Sequence, residues 1–496
     1  MEKRYLLGLD IGTSAVKAAL FEKAGGNRPV GVTSATYPIY YPAPGCVEQE
    51  PEDWWRAIVT ATRELLRETG VDPDLIAGIG IDGQSWAAVA VDAEGRVLAP
   101  TPIWQDTRTA DICAELTERL GAERVRAGTL CDLQPGFTFP KILWYKRNLP
   151  EVYERAVAFL QSNAFAVLRL TDRLSQDLSQ SSCMLCADIV RGVWDEALCR
   201  EAGVDPSLLP PLYAPHEIVG TVTERAARET GLAVGTPVVA GGMDTPCDAL
   251  GAGVVRVGEC QELGGQSGGM NICLDAPLYD PRLLTGRHVV PDRYLLQGGT
   301  VGGGAILRWF SDTFEGGNSD FARLDREAST VPAGAEGLVL LPYFAGERTP
   351  LWDPDAKGVY YGLTYSKTRA HFHRANLEAA AYALRHNLEV AREAGANALV
   401  LRASGGAAKS PLWTQIKADV TGAVIEVPQA FSTACFGAAV LAGVGTGFYA
   451  SFDEAVAGIT LSATYTPDPQ TREVYDKTYR TYRAIYERLS PVMHQK

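Results

Sequence analysis

Two aspartates close apolar runs that read as buried strands. Asp10 follows "YLLGL", and Asp244 follows "VVAGGM". A carboxylate at the end of such a strand either caps a turn or is presented to a ligand. At Asp244 the preceding Gly241 and Gly242 let another molecule come close. Asp248, four residues on, is placed to begin or lie within the next helix, where it could cap it. After Asp10 the turn Gly12-Thr13-Ser14 offers consecutive backbone N–H groups and hydroxyls, a cradle for phosphate oxygens. Asp10 is suited to hold magnesium through water, and Lys17 to offset phosphate charge. The competing reading is an ordinary hairpin. Neither a G-x-x-x-x-G-K-[ST] loop nor an H-R-D kinase set is present.

The first hairpin has an echo. "LGLDIGTSAVKAAL" near the start resembles "QELGGQSGGMNICL" at 261–274. Each reads as strand, tight turn with Gly-x-Ser, strand. Gly265, Gln266 and Ser267 would then grip the same phosphates from the other side. This predicts two related lobes around a cleft, residues 1–248 and 249–496, with a hinge in the Gly-rich run from Asp244 to Gly258. Two more glycine clusters could border a flat ligand or another backbone. Gly302 to Gly304 precede a helix, and a strand runs into Ser404, Gly405 and Gly406 before a helix that begins near Ser410.

The elements that must position these groups alternate between strand and helix, which predicts an α/β class. "RYLLGLD" and "AVKAALFE" form one strand pair, and "LIAGIGIDGQ" and "WAAVAVDAEG" another. "EDWWRAIVTATRELLRETG" is an amphipathic helix, with Trp55, Ile58, Val59, Leu65 and Leu66 on one face and Gly70 as its stop. "ANLEAAAYALRHNLEVAREAG" is a second helix. "EVYDKTYRTYRAIYERLS" is a third, its tyrosine stripe read as packing. The uncharged stretch between Glu426 and Asp453 contains Pro428 and four glycines, which fits a tightly packed buried helix rather than a membrane span.

The net charge is -13, which argues against a general nucleic-acid or anionic-membrane binder but leaves locally held phosphates open. The apolar N-terminal run breaks at Asp10 without a cleavage site, so no signal peptide is expected. Ten scattered cysteines, with one C-x-x-C at Cys183 and Cys186 and no nearby histidine, suit reduced thiols in a cytoplasm rather than a zinc site.

Taken together and in order, these motifs resemble the FGGY carbohydrate kinases, within the sugar kinase, Hsp70 and actin superfamily. The resemblance runs roughly from Leu7 to Gly447. It is carried by "GLDIGTSAVKAALF", "GGMDTPCDALGAGVV", "LLPYFAGERTPLWDPDAKGVYYGL" and, most specifically, "ASGGAAKSPLWTQIKADVTG". "EQEPEDWWRAI", "PTPIWQDTRT" and "PGFTFPKILWYKR" resemble the xylulokinase branch. The resemblance implies two actin-like (ribonuclease H-like) lobes and an ATP-dependent, magnesium-assisted kinase of a small sugar. It implies Asp244 as the base and Asp10 as the magnesium support. Thr13, Ser14, Lys17 and Gly265 to Ser267 would line the phosphate path, and Gly304, Gly406 and Ser410 would border the adenosine. Gln84, Ser85, Trp86, Trp104, Asp106 and Thr245 would line the sugar pocket. D-Xylulose is the first expectation. Another ketose or polyol, such as ribulose or erythritol, is the alternative within the class, and an inactive nucleotide-binding sugar sensor is the alternative outside it. A homodimer is left open.

Bland readings stand beside several of these. Trp86 and Trp104 could be core aromatics, Asp106 could pair with Arg108, and Lys141 could be an ordinary surface or cleft lysine. Glu347 and Arg348 in "GERTP" read as a structural loop near the cleft. Three positions depart from the resembled pattern. Ser85-Trp86 stands where the branch carries Met-His, Gly265-Gln266-Ser267 where it carries Gly-Thr-Ser, and Asn163-Ala164-Phe165 where it carries Lys-Asp-Tyr. The first falls on the sugar side and puts xylulose itself in question.

Overall fold

The computed structural model describes residues 3–317, 320–429 and 432–495. Its first sheet starts from the N-terminal hairpin. Strands β1 (Tyr5–Ile11) and β2 (Ala15–Glu22) pair antiparallel, and β3 (Pro29–Thr36) extends the hairpin. β4 (Ile76–Gly83) lies parallel to β1 on its other side. β6 (Pro237–Val239) is parallel to β4, and β5 (Ile218–Thr221) closes the edge antiparallel to β6. The order is β5-β6-β4-β1-β2-β3.

The second sheet repeats this plan. β7 (Glu259–Gly264) and β8 (Gly268–Leu274) form the hairpin, and β10 (Tyr294–Thr300) extends it antiparallel, with β9 (Leu284–Arg287) outside. β11 (Val400–Ser404) runs parallel to β7, β12 (Ile425–Pro428) parallel to β11, and β13 (Leu461–Tyr465) antiparallel to β12. The echo read from the sequence is thus a shared topology: two Gly-x-Ser hairpins occupy equivalent places in two sheets.

Along β1 the side chains alternate between faces, as strand geometry requires. Leu7, Leu9 and Ile11 pack with Trp54 and Ile58 of helix α1 (Pro51–Thr69), which ends on left-handed Gly70. Leu6, on the other face, packs with Phe436 and Leu441 of helix α8 (Thr433–Gly445), an element from the second half of the chain. Gly80 of β4 makes that approach possible: a Cβ there would sit 1.8 Å from the Ala438 carbonyl oxygen. Helix α3 (Asp244–Gly251) makes the reciprocal crossing. Its Ala249 packs with Cys273 and Leu295 of the second sheet. Helices α6 (Arg369–Glu393) and α7 (Pro411–Thr421) cover the far face of that sheet, and α9 (Arg472–Met493) buries Tyr475, Tyr479 and Tyr482 as packing residues.

One expected pairing is corrected. Val89–Val91 does not pair with β4. It pairs with Ala158–Leu160, because the turn at Gln84 to Ala88 carries the chain away from the sheet. Among the described residues no helix is long and apolar enough to cross a membrane.

Candidate active site

Strand register places the charges. The β1/β4 pairing sets Asp10 opposite Asp82, and β2 sets Lys17 on the other side of Asp10. The short segment Gly242–Met243 pairs with Asp82 and Gly83, so Asp244 starts α3 at the end of the same strands. Three carboxylates therefore meet at neighbouring strand ends, with the Lys17 ammonium 3.4 Å from Asp10. The Lys17 pKa is raised, chiefly by Asp10 against the effect of burial.

Asp244 is only part-exposed. Its Oδ1 accepts hydrogen bonds from the backbone N–H of Thr245 at 2.6 Å and from the Thr245 hydroxyl at 3.3 Å. No donor among the described residues meets its other oxygen. Burial lifts its pKa to about 7, against the Thr245 hydrogen bonds and with help from the charges of Asp10 and Asp248. A carboxylate poised near neutral pH with one free oxygen is suited to take a proton from an alcohol. Asp82, which the sequence reading passed over, is fully buried, and neither of its oxygens meets a protein donor. Burial first, then Asp10 and Asp244, pushes it well above the usual carboxylate range. The signal was available in "GIGIDGQ", a charge inside an apolar strand.

Asp248 lies within α3 and does not cap it. It accepts hydrogen bonds from Gln261 of β7, Ser404 of β11 and Thr433 of α8, and so ties the helix that begins at Asp244 to the second sheet. Asn163, the departure from Lys-Asp-Tyr, donates to Asp177 at 2.9 Å and to the Ala240 carbonyl at 3.1 Å. It holds the chain just before Asp244.

Both hairpin turns are open. Gly12 N–H closes the first on Ala15 O at 3.1 Å, and Gly265 N–H closes the second on Ser267 O at 3.0 Å. Ser14, Gly265, Gln266 and Ser267 are exposed. Gly304 behaves as one of the two expected options: its N–H donates to Gly265 O at 2.9 Å, which docks helix α4 (Gly304–Phe314) against the second hairpin. Beside it opens a cavity of about 830 Å³ that brings together Gly265, Gln266, Gly304, Gly406 and Ser410. Ser410 caps α7 by accepting from Trp413 N–H at 3.0 Å and donates to Asp325 at 2.6 Å. Asp325 also meets His373 at 3.0 Å, a link the sequence reading missed because the three residues belong to separate segments.

The residues that could hold a hard cation are Asp82, whose oxygens meet no donor among the described residues, the free oxygen of Asp244, and Asp10 beside Lys17. Among the described residues no group of three or more His, Cys, Asp or Glu side chains is arranged to hold a metal ion by itself. One or two carboxylates plus phosphate oxygens is the usual magnesium arrangement.

The residues expected to face a sugar begin at Gln84, directly after β4. Gln84 donates from its amide to Gln49 at 2.7 Å, while its own Oε1 and the Ser85 hydroxyl are buried without partners. Trp86 takes a left-handed backbone (φ 67°), unusual for a bulky residue, and its ring lies 4.3 Å from that of Phe137. Trp104 is 37% exposed and donates from its indole to the Thr13 hydroxyl at 3.0 Å, linking this side to the first hairpin. Asp106 is fully buried, both oxygens engaged by Arg108 and by the Val47 N–H. It braces the loop behind Trp104, and neither oxygen is free for a ligand. Thr245 acts on Asp244 directly. Lys141 is no surface or cleft lysine: it is completely buried, and burial pulls its pKa down to about 7. Glu347 and Arg348 are structural, as expected. Glu347 accepts from Val301 N–H at 2.7 Å beside the end of β10.

Sequence comparison decides the family. The description "FGGY family of carbohydrate kinases, N-terminal domain" matches residues 5–251, and the C-terminal domain of the same family matches residues 265–446. The chain belongs to the FGGY family of carbohydrate kinases. It is 33% identical to the xylulose kinase of Bacillus subtilis (strain 168), over 97% of this chain and 97% of that one. It is 30% identical to the gluconokinase of the same organism, over 99% of this chain and 96% of that one. The crystal structure of xylulose kinase from Rhodospirillum rubrum superposes with a TM-score of 0.91 at 33% identity, covering 99% of this chain and 100% of that one. The chain is an ATP-dependent sugar kinase, with the two-domain α/β architecture of its structural neighbours.

Proposed function

We propose that this FGGY kinase transfers the γ-phosphoryl group of ATP to a primary hydroxyl of a small neutral ketose, D-xylulose first. The observation that carries the reading is Asp244: a carboxylate with one free oxygen and a pKa near 7, beside Asp10 at the end of the first hairpin's strand. The relatives named xylulose kinase support the sugar, but a gluconokinase is nearly as similar. Charge separates the two. Gluconate brings a carboxylate that needs a cation to receive it. On the sugar side Lys141 is consumed by three backbone carbonyls and Arg108 by Asp106 and Glu48. The unpartnered groups there among the described residues, Gln84 Oε1, Ser85 Oγ and the Trp86 indole N–H, suit hydroxyls.

In this reading Asp244 takes the proton of the sugar hydroxyl as its oxygen attacks phosphorus, and Thr245 holds the carboxylate in place. The N–H groups of Thr13 and Ser14 in the first turn and of Gln266 and Ser267 in the second donate to phosphate oxygens, and Lys17 adds positive charge. A magnesium ion bound at Asp10, with Asp82 behind it, would neutralise charge on the β- and γ-phosphates. Gly406 and Ser410 border the adenosine in the large cavity. The lobes, residues 1–248 and 249–496, close over the reactants and exclude water that would otherwise accept the phosphoryl group. A screen of ADP release over pentuloses, hexuloses, polyols, glycerol and gluconate tests the proposal. Turnover highest on a pentulose supports it. Turnover highest on gluconate refutes the charge reasoning, and sugar binding without any ADP release leaves a sensor in place of the enzyme.

A further inference from the structure

We propose that Lys141 is the positioning residue of the sugar pocket, a buried ammonium clamp that holds together the three separate segments forming its aromatic wall. The proposal rests on the sugar-side reading above but makes a separate physical claim.

Lys141 sits in the first turn of helix α2 (Thr138–Asn148). Its Nζ donates to the carbonyl oxygens of Trp86 at 2.7 Å, Ile103 at 2.7 Å and Gly136 at 2.6 Å. Three acceptors need three protons, so the geometry calls for the ammonium form. A neutral amine would turn its lone pair on one of the carbonyls. Each accepting carbonyl sits in a segment that carries a wall residue. Trp86 follows Ser85 and Gln84. Ile103 precedes Trp104. Gly136 precedes Phe137, against whose ring Trp86 packs at a tilt. The segments converge so closely that a Cβ on Gly136 would lie 2.8 Å from Trp104 O and 3.1 Å from the Trp86 ring.

Helix stability does not account for this lysine. A cation in the first turn faces the positive end of the helix dipole, where it is disfavoured. Arg108 nearby disfavours it too, and Asp106, the one opposing charge, is itself engaged by Arg108. A buried charge retained against these terms is held for its hydrogen bonds: Ile103 O keeps the Asp106 N–H at 3.0 Å, but Lys141 is the donor the Trp86 and Gly136 carbonyls have among the described residues. What those bonds achieve is local. They hold Trp86 in its left-handed conformation, and they fix the spacing between Trp86 and Trp104. Small displacements of a substrate-orienting wall translate into large losses in binding and rate.

The test uses Lys141→Met, an unbranched side chain one atom shorter that removes all donors, and Lys141→Gln, which keeps two. Hydrogen exchange is read first, because it needs no substrate. Faster exchange confined to residues 84–88, 103–106 and 134–138 is expected, larger for Met than for Gln. Kinetics follow on the best sugar of the wild type. KM for sugar should rise tenfold or more for Met and by less for Gln, while calorimetric ADP affinity stays within twofold. Unchanged exchange in the three segments overturns the clamp. So does an equal loss of sugar and nucleotide affinity, which marks a general structural role. Should Lys141→Met not fold, the Gln variant decides on the same two readouts. Failure of the wild type to phosphorylate any sugar refutes the functional reading and leaves the exchange result standing.

Discussion

Replacing Asp244 by asparagine separates the base from everything around it. The substituted side chain would still accept from the Thr245 N–H and hydroxyl through its amide oxygen, so the start of α3 is preserved. Its NH₂ group would occupy the place of the free carboxylate oxygen and offer donors where the reaction needs an acceptor. Loss of a general base typically costs 10²-fold to 10⁴-fold, so turnover should fall by about a hundredfold or more, or about 2.7 kcal/mol of barrier. The same substitution should stabilise the fold, and the sign depends on pH. Asp244 in the folded state titrates near 7, raised mainly by burial, whereas the unfolded group titrates near its ordinary value. Between those values the folded state binds the extra proton, so the charged carboxylate lowers stability progressively as pH rises from about 4 to about 7. Cleft water screens part of that cost, and a gain on the order of 2 kcal/mol is expected for Asp244→Asn at pH 8, with none near pH 4. Coupled ADP release gives the first number, and calorimetric Tm at the two pH values gives the second. The wild type should also gain kcat/KM as pH rises through about 7. Turnover within tenfold of wild type would refute the base assignment, and a lower Tm at pH 8 would refute the electrostatic account of the site.

Other substitutions probe other parts of the cleft. Gly406→Val should weaken ATP binding by about tenfold or more and leave sugar binding unchanged, because no atom lies within 4 Å of a Cβ there and the side chain would project into the cavity; calorimetry with each ligand separates the effects, and unchanged ATP affinity rejects the placement. Ser85→Met with Trp86→His should shift relative kcat/KM among ketopentoses toward xylulose by about tenfold, roughly one or two kcal/mol of differential binding; histidine tolerates the left-handed backbone at this position better than most bulky residues. Trp86→Ala alone should raise sugar KM without altering ATP dependence, and a wild-type ranking and KM in both would make Trp86 a packing residue of the Phe137 cluster. Asp82→Asn should raise the magnesium concentration needed for half-maximal rate several-fold and weaken manganese binding in the ADP complex, read by electron paramagnetic resonance; equal metal affinity would leave Asp82 a purely buried acid.

Local chemistry was legible in the amino-acid sequence because it depends on near neighbours. The Gly-x-Ser turns, the Gly70 stop after α1, the start of α7 near Ser410 and the tyrosine stripe of α9 are each written within a few residues, and each forms as read. The paired hairpins were visible as an echo because both copies keep the same turn chemistry. Decisions between distant segments were not legible. Asp82 becomes part of the acidic centre only through its register opposite Asp10, across more than seventy residues of chain. Asp248 reads as a residue that begins or lies within a helix, and only Gln261, Ser404 and Thr433 from distant segments decide what it binds. Lys141 looks like a solvent-facing lysine until three carbonyls from three segments surround it. Even the strand pair expected after Gln84 was redirected to Ala158–Leu160, whose pairing no local pattern announces. Periodicity and turn residues determine which elements form. The burial of a charge, and therefore its pKa and its use, depends on which elements from elsewhere in the chain close over it, and that is settled only when the two sheets and the crossing helices α3 and α8 pack together.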